Sequence, residues 1–142
     1  MTIATILQGK GSDIVTVDSS ATVLSVVGLL ADKRIGCVPV VEGGKVVGIF
    51  SERDVVYRLD SEGAAMLERT VGEVMTSPAV TIESDMHVMS ALSLMTRRRI
   101  RHLPVEDAGG LVGFVSIGDL VKHRIDKIEA EAEAMRAYIQ AA

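Results

Sequence analysis

The chain is poor in the residues that carry most protein chemistry. Cys37 is its only cysteine, so an intramolecular disulfide and a thiolate cluster for zinc are both excluded, and a reducing compartment suits it. Tryptophan is absent and aromatic residues make up only 3%, so the core must be aliphatic, and so must any pocket for a nucleobase. The formal net charge is −4, and no basic stripe is interleaved with aromatics. That balance argues against nucleic acid as a partner, because phosphates are neutralised by clustered Lys and Arg. No apolar run approaches the roughly 18 residues of a membrane span. The stretch Met1-Thr2-Ile3-Ala4-Thr5-Ile6-Leu7 lacks a basic lead and a small-residue cleavage site, so no secretory signal is expected and the expected location is the cytoplasm. Missing too are G-x-S-x-G, H-E-x-x-H and any Cys or His pair at metal-ligand spacing. Gly9-Lys10-Gly11-Ser12 lacks the earlier glycine of a phosphate loop. Neither an enzyme nor a metal protein is predicted.

What the chain does have is a heptapeptide in two copies: Gly48-Ile49-Phe50-Ser51-Glu52-Arg53-Asp54 and Gly113-Phe114-Val115-Ser116-Ile117-Gly118-Asp119. Each reads Gly, two apolar residues, Ser, two variable residues, Asp, and each runs into a helical apolar pattern. Ser-x-x-Asp after an apolar strand is a capping box, in which hydroxyl and carboxylate satisfy reciprocal backbone N–H groups. A second role is compatible with the first. A helix start presents free N–H groups to an anion, and a carboxylate there can accept from two vicinal hydroxyls, as on a ribose.

The repeat extends well beyond the heptapeptide. Residues 16–58 lie on 81–123 without a gap, with Arg34-Ile35 on Arg99-Ile100 and Pro39-Val40 on Pro104-Val105. Each unit reads strand, helix, strand, strand, helix. The first strands are Ile14–Val17 and Ala79–Ile82, followed by polar helix starts at Asp18-Ser19-Ser20 and Glu83-Ser84-Asp85. Helices then span Thr22–Lys33 and His87–Arg98. The strands Cys37–Val41 and His102–Val105 carry a proline, which argues for an edge or a strand start. Turns at Glu42-Gly43-Gly44 and Asp107–Gly110 lead into the strands Lys45–Phe50 and Leu111–Val115. Between the units, residues 61–73 read as a linker helix. Past about Lys127 the tail has no counterpart in the first unit. Val121, Ile125, Ile128, Ala132, Met135 and Ile139 recur there as an a/d heptad seam, free to lie on its own globule or to pack against a second subunit.

This pattern resembles the CBS domain, and the chain looks like a CBS pair, or Bateman module, across nearly all of residues 4–125. The resemblance implies an α/β (α+β) fold: two pseudo-symmetric βαββα units packed as one module. The first would span 1–60, the linker 61–73, the second 74–125 and a C-terminal helical extension 126–142. It implies a non-catalytic regulatory module that binds adenosine compounds (AMP, ADP, ATP, NAD(H) or S-adenosylmethionine) between the units and acts as an energy or cofactor sensor. It also implies a homodimer through the CBS units and C-terminal helix, and an unknown effector protein. The alternative is a protein–protein interaction or dimerisation module with degenerate nucleotide pockets.

Carried over crosswise, the resemblance puts Asp54 on the ribose of a first cleft, with Ser51 and Arg53 on the phosphate side. Arg101 and His102 would form its lip, and Thr76, Pro78 and Val80 would surround the base. In a second cleft Asp119 and Ser116 take the matching roles, with Gly36 and Cys37 at the lip and Leu7, Gln8 and Val15 on the base side. The competing readings are capping alone for the aspartates, a solvated helix face for Arg53 and an edge-strand guard for Arg101 and His102. Arg97-Arg98-Arg99 reads as a solvated helix end complementing the dipole, or as a patch that steers phosphate. Cys37 reads as a small buried hydrophobe, and His87 and His123 as surface residues. The first cleft has Arg53, Arg101 and His102 where the second has Gly118, Gly36 and Cys37. Guanidinium forks favour phosphate, so the first cleft is expected to hold a phosphorylated ligand more tightly. The second would hold adenosine more weakly, receive the other half of a dinucleotide, or stay empty.

Overall fold

The fold was obtained as a computed structural model that describes residues 1–11 and 13–141. The elements are α1 (Ile3–Lys10), β1 (Val17–Asp18), α2 (Val23–Lys33), β2 (Cys37–Glu42), β3 (Lys45–Ser51) and α3 (Glu52–Glu62). A 3₁₀ turn (Gly63–Glu68) leads to α4 (Val71–Val74), α5 (Val88–Arg98), β4 (His102–Asp107), β5 (Gly110–Ser116) and α6 (Ile117–Ala141). No described helix is long and apolar enough to cross a membrane.

Each repeat is built on an antiparallel hairpin with one helix against it. β2 pairs with β3, and β4 with β5, in matching registers that slip at matching places, Val40/Val41 and Val105/Glu106. The first turn bends through Gly43 and Gly44, both at positive φ, which glycine adopts without a Cβ clash. Helix α2 turns Val23, Val26 and Leu30 inward, and α5 does the same with Val88, Ala91 and Met95. Both helices end on an arginine in the left-handed region, Arg34 at φ 54° and Arg99 at φ 55°.

The helix starts differ from expectation. Thr22 caps α2 by accepting from the Ser25 N–H at 3.2 Å, and His87 precedes α5 without a side-chain cap. The polar runs upstream do other work. Asp18 accepts from the N–H and hydroxyl of Ser20, and Ser19 donates to Glu42 at 2.6 Å. Ser84 donates twice to Asp107, at 2.9 and 2.6 Å. These bonds pin each helix approach to the far end of its own hairpin.

The leading strands are also shorter than expected. Only Val17 and Asp18 pair, parallel to Val40 and Val41, and in the second repeat only a bridge at Ile82 to Val105 remains. Residues 14–16 and 79–81 form no strand, and Val15 and Val80 pack instead against the cores of their own units. Pro39 is placed centrally in β2 yet breaks no ladder, because β1 reaches only Val40 and Val41.

The two apolar cores exchange their lids. The first contains Val23, Val38, Val40 and Phe50, and it is closed by Met66 and Val71 from the segment expected to be a linker and by Val74, the first residue of the expected second unit. The second contains Met95, Leu103, Val105, Val115 and Leu120, and Ile3 and Ile6 of α1 close it. Residues expected to belong to the first unit thus pack in the core of the second. The cause is a hydrophobic one, since an isolated sheet-and-helix unit leaves a flank that only another apolar segment can cover. The two crossings that result bring the units face to face.

Candidate functional site

Asp54 sits where β3 runs out and α3 begins. Its Oδ2 accepts from the Ser51 N–H at 2.9 Å and from the Ser51 hydroxyl at 3.3 Å, which is the capping role expected from sequence. The other oxygen faces the second crossing: Oδ1 accepts from the Thr76 hydroxyl at 3.0 Å. Thr76 is held there by a two-way backbone bridge with Ile49, both bonds 2.9 Å long. Gly48 makes this approach possible. A Cβ at Gly48 would lie 2.5 Å from the Met75 sulfur and 2.8 Å from the Thr76 carbonyl. The glycine that opens the heptapeptide is therefore a matter of clearance between the crossing segment and the strand.

A hollow of about 280 Å³ opens beside this contact. One wall is Gly36, Cys37, Ile49 and Ser51 through Asp54. The other is Thr76, Pro78 through Val80, and Arg99 through His102. The eight residues expected around the first cleft therefore meet in one place. Gly36 and Cys37, expected at the lip of the second cleft, line this hollow instead. The strand register is the reason: Cys37 pairs with Ser51, which puts the lip of a unit beside its own Ser-x-x-Asp. By the same rule His102 pairs with Ser116, so it stands between the two heptapeptide sites, with its ring stacked on Phe114 at 5.3 Å. Ile49, Glu52, Ala79 and Ile100 also line the hollow and were not foreseen, and of the run Arg97-Arg98-Arg99, read as a solvated helix end or a phosphate-steering patch, Arg99 lines it as well. The repeated Arg-Ile pair was visible in the sequence, but not the left-handed turn that swings Arg99 toward the cleft.

Three guanidiniums, Arg53, Arg99 and Arg101, line the hollow against two carboxylates, Glu52 and Asp54. Among the described residues, Arg53, Arg99 and Arg101 make no ion pair. Burial first, and then the nearby Lys10 ammonium, lower the His102 pKa, so its imidazole is neutral at pH 7 and the arginines carry the positive charge. Burial, followed by the carboxylates of Asp54 and Glu52, pushes the Cys37 thiol up to about 12. It stays protonated and is no nucleophile. No described group of three or more His, Cys, Asp or Glu is arranged to hold a metal. The arrangement offers a carboxylate for hydroxyls, guanidiniums for an anion, and apolar walls from Ile49, Val80 and Ile100.

The second heptapeptide repeats the capping box but not its surroundings. Asp119 Oδ2 accepts from the Ser116 N–H at 2.8 Å, and the Ser116 hydroxyl accepts from the Asp119 N–H at 3.1 Å. Lys10, at the end of α1, donates to the same Oδ2 at 2.7 Å and to the Phe114 carbonyl at 2.6 Å. Burial works to raise the Asp119 carboxyl, but the Lys10 and Ser116 bonds outweigh it and hold it below its ordinary value. Leu7 packs onto Gly113, where a Cβ would fall 2.4 Å from a Leu7 methyl. Gln8 is exposed, and Val15 packs against the first core. Lys10 was missed in the sequence, although it lies in the same window as Leu7 and its charge complements Asp119. His123 is half-buried, and its Nε2 is enclosed without a hydrogen-bond partner.

Comparison with known proteins gives a consistent picture. The CBS domain profile matches residues 11–61 and 71–126. CBSX3, a mitochondrial CBS domain-containing protein of Arabidopsis thaliana, is 31% identical, spanning 98% of this chain and 72% of its own. The crystal structure of the CBS-domain containing protein ATU1752 from Agrobacterium tumefaciens is similar with a TM-score of 0.83 at 38% identity, covering 87% of this chain and 99% of that one. The CBS domain pair of protein MJ0100, solved with 5′-methylthioadenosine and S-adenosyl-L-methionine, has a TM-score of 0.75 at 25% identity, over 86% of this chain and 98% of that one.

Proposed function

This chain belongs to the CBS domain family, with two copies of the domain forming a non-catalytic regulatory module, and from that premise we propose that its first cleft binds one phosphorylated adenosine ligand. The observation that carries the reading is the hollow that spans both units, with Asp54 on one side and, beside it, three arginines that make no ion pair among the described residues. Asp54 Oδ1 takes the ribose hydroxyls in place of the Thr76 hydroxyl. Arg53 and Arg101 take the phosphate, joined by Arg99. Pro78, Val80 and Ile100 pack on the base. The MJ0100 pair, whose two ligands share an adenosine core, supports the adenosine class.

Charge and volume narrow the ligand further. S-adenosylmethionine offers three guanidiniums a single carboxylate and carries two cations, whereas AMP, ADP and ATP offer net-negative phosphates and gain more. At about 280 Å³ the hollow lies near the lower end of ligand pockets, which start at about 300 Å³. It suits one nucleoside with its phosphates at the mouth better than a whole NAD. Because the ligand touches both units, it acts as an energy sensor to the extent that it binds one inter-unit angle better than another.

The output passes to an unknown effector through a homodimer. Val56 and Tyr57 on α3, and Val121, Ile125 and Ile128 on α6, are exposed apolar residues, with Val56 and Val121 at the same position of the repeat, and they support pairing through these helices. Calorimetry with ADP, AMP and S-adenosylmethionine tests the ligand. ADP binds more tightly than S-adenosylmethionine, and Asp54→Ala weakens ADP by roughly 10- to 100-fold, the range for losing one or two hydrogen bonds to a charged group. Equal affinity for the sulfonium, or an unaffected Asp54→Ala protein, overturns the proposal.

A further inference from the structure

The two heptapeptide sites use the same carboxylate and the same strand carbonyl, but different partners satisfy them. In the first, Thr76 supplies two donors: its N–H to the Ile49 carbonyl at 2.9 Å and its hydroxyl to Asp54 at 3.0 Å. In the second, one ammonium reaches both groups, although on Asp119 it shares Oδ2 with the capping Ser116 N–H, whereas Thr76 takes the Asp54 oxygen that the Ser51 N–H does not use. Lys10 Nζ donates to the Phe114 carbonyl at 2.6 Å and to Asp119 at 2.7 Å. Phe114 and Ile49 are the same position of the repeat, as are Asp119 and Asp54.

We infer that Lys10 is the residue that makes the two clefts unequal: its ammonium holds the hydroxyl-accepting carboxylate of the second cleft, so each chain carries one nucleoside site and not two. The inference rests on the reading of Asp54 as a ribose acceptor. A neutral hydroxyl such as that of Thr76 is exchanged for a ligand hydroxyl of the same kind. An ammonium is a charged donor, and swapping it for ribose hydroxyls leaves Asp119 without its counter-charge. The position is also fixed. Ile3 and Ile6 anchor α1 in the second core, and Leu7 seats on Gly113, so Lys10 is delivered to Asp119 by packing. A second site therefore needs the lysine removed, not the aspartate improved.

Native mass spectrometry and calorimetry with ADP test this on the full chain and on Lys10→Ala. The unaltered protein takes one ADP. Lys10→Ala takes two, the added site binding at least about tenfold tighter than anything the parent offers there, as the loss of a charge-assisted competitor implies. The added site vanishes in Lys10→Ala/Asp119→Ala, while the first is kept. Lys10→Gln keeps the length of the side chain and removes the charge, and it gives the same gain if Lys10→Ala folds poorly by circular dichroism. Two equal sites in the parent, or one site in both parent and variants, overturn the inference and leave the proposed function standing. No ADP on the parent but one on Lys10→Ala sinks the first-cleft reading and with it the count of one site per chain, leaving only the competition of Lys10 for Asp119. No ADP on any of the proteins overturns both.

Discussion

Cys37 stands at the wall of the hollow, buried beside Ser51, and its chemistry is decided by that address. Burial and then the Asp54 and Glu52 carboxylates push its thiol up to about 12. Only the thiolate is reactive, so at pH 8 thiol-directed labelling of the native protein should run at least about 100-fold slower than after denaturation in urea. Rapid native labelling would mean an open site. Asp119 works in the opposite direction. Its folded pKa lies below the ordinary 3.8, so it contributes stability above that pH and loses it as pH falls through the folded value. Asp119→Asn should therefore lower the urea midpoint at pH 7, with parent and variant converging as the pH drops below 3.8. A gap that persists in acid would assign the loss to packing and not to charge. Both residues were marked by the sequence as site positions, but their environments were not, because a pKa depends on neighbours from distant parts of the chain.

Elements in this fold meet at points where a side chain would not fit. β3 passes the second crossing at Gly48, and β5 passes α1 at Gly113. Gly48→Ala pushes a methyl against a backbone carbonyl and should cost about 1–3 kcal/mol as overpacking, read by urea denaturation. Gly113→Ala meets only the end of the Leu7 side chain, which can turn aside, so its cost should be the smaller of the two. The reverse order would mean that the first crossing is the more rigid. Helix α6 presents another unsatisfied surface. From Ile128 to Ala141 every residue is exposed, and the apolar seam Val121, Ile125, Ile128, Met135 and Ile139 faces water along with its charged neighbours. The tail does not lie on its own globule, and in the proposed homodimer a second copy's helix would cover this open a/d seam. Removing the chain after Arg124 should lower the mass measured by light scattering from a dimer to a monomer. An unchanged dimer would restrict assembly to α3 and the start of α6.

At the scale of the whole molecule, the two repeats are joined by exchange: each core is closed by the short segment that precedes the other unit's first strand. A ligand in the cleft touches both units and stabilises them together, by about 2.7 kcal/mol at a concentration 100 times its dissociation constant. ADP should accordingly raise the melting temperature as one cooperative transition, and Asp54→Ala should abolish that rise. Two separate transitions, of which ADP moves only one, would mean that the units are energetically independent. The sequence by itself determined the repeat, its offset, the hairpins, the helices and the capping role of Ser51 with Asp54, because each rests on patterns only a few residues long. The family resemblance that those patterns carry also implied the eight residues that meet around the first hollow. Only the tertiary structure decided that α1 closes the second core, that Gly36 and Cys37 belong beside Asp54, that Arg99 turns inward, and that Lys10 reaches Asp119. Those contacts join residues up to 109 positions apart, and local pattern carries no information about which apolar flank the folding chain will cover or which charge that cover will bring with it.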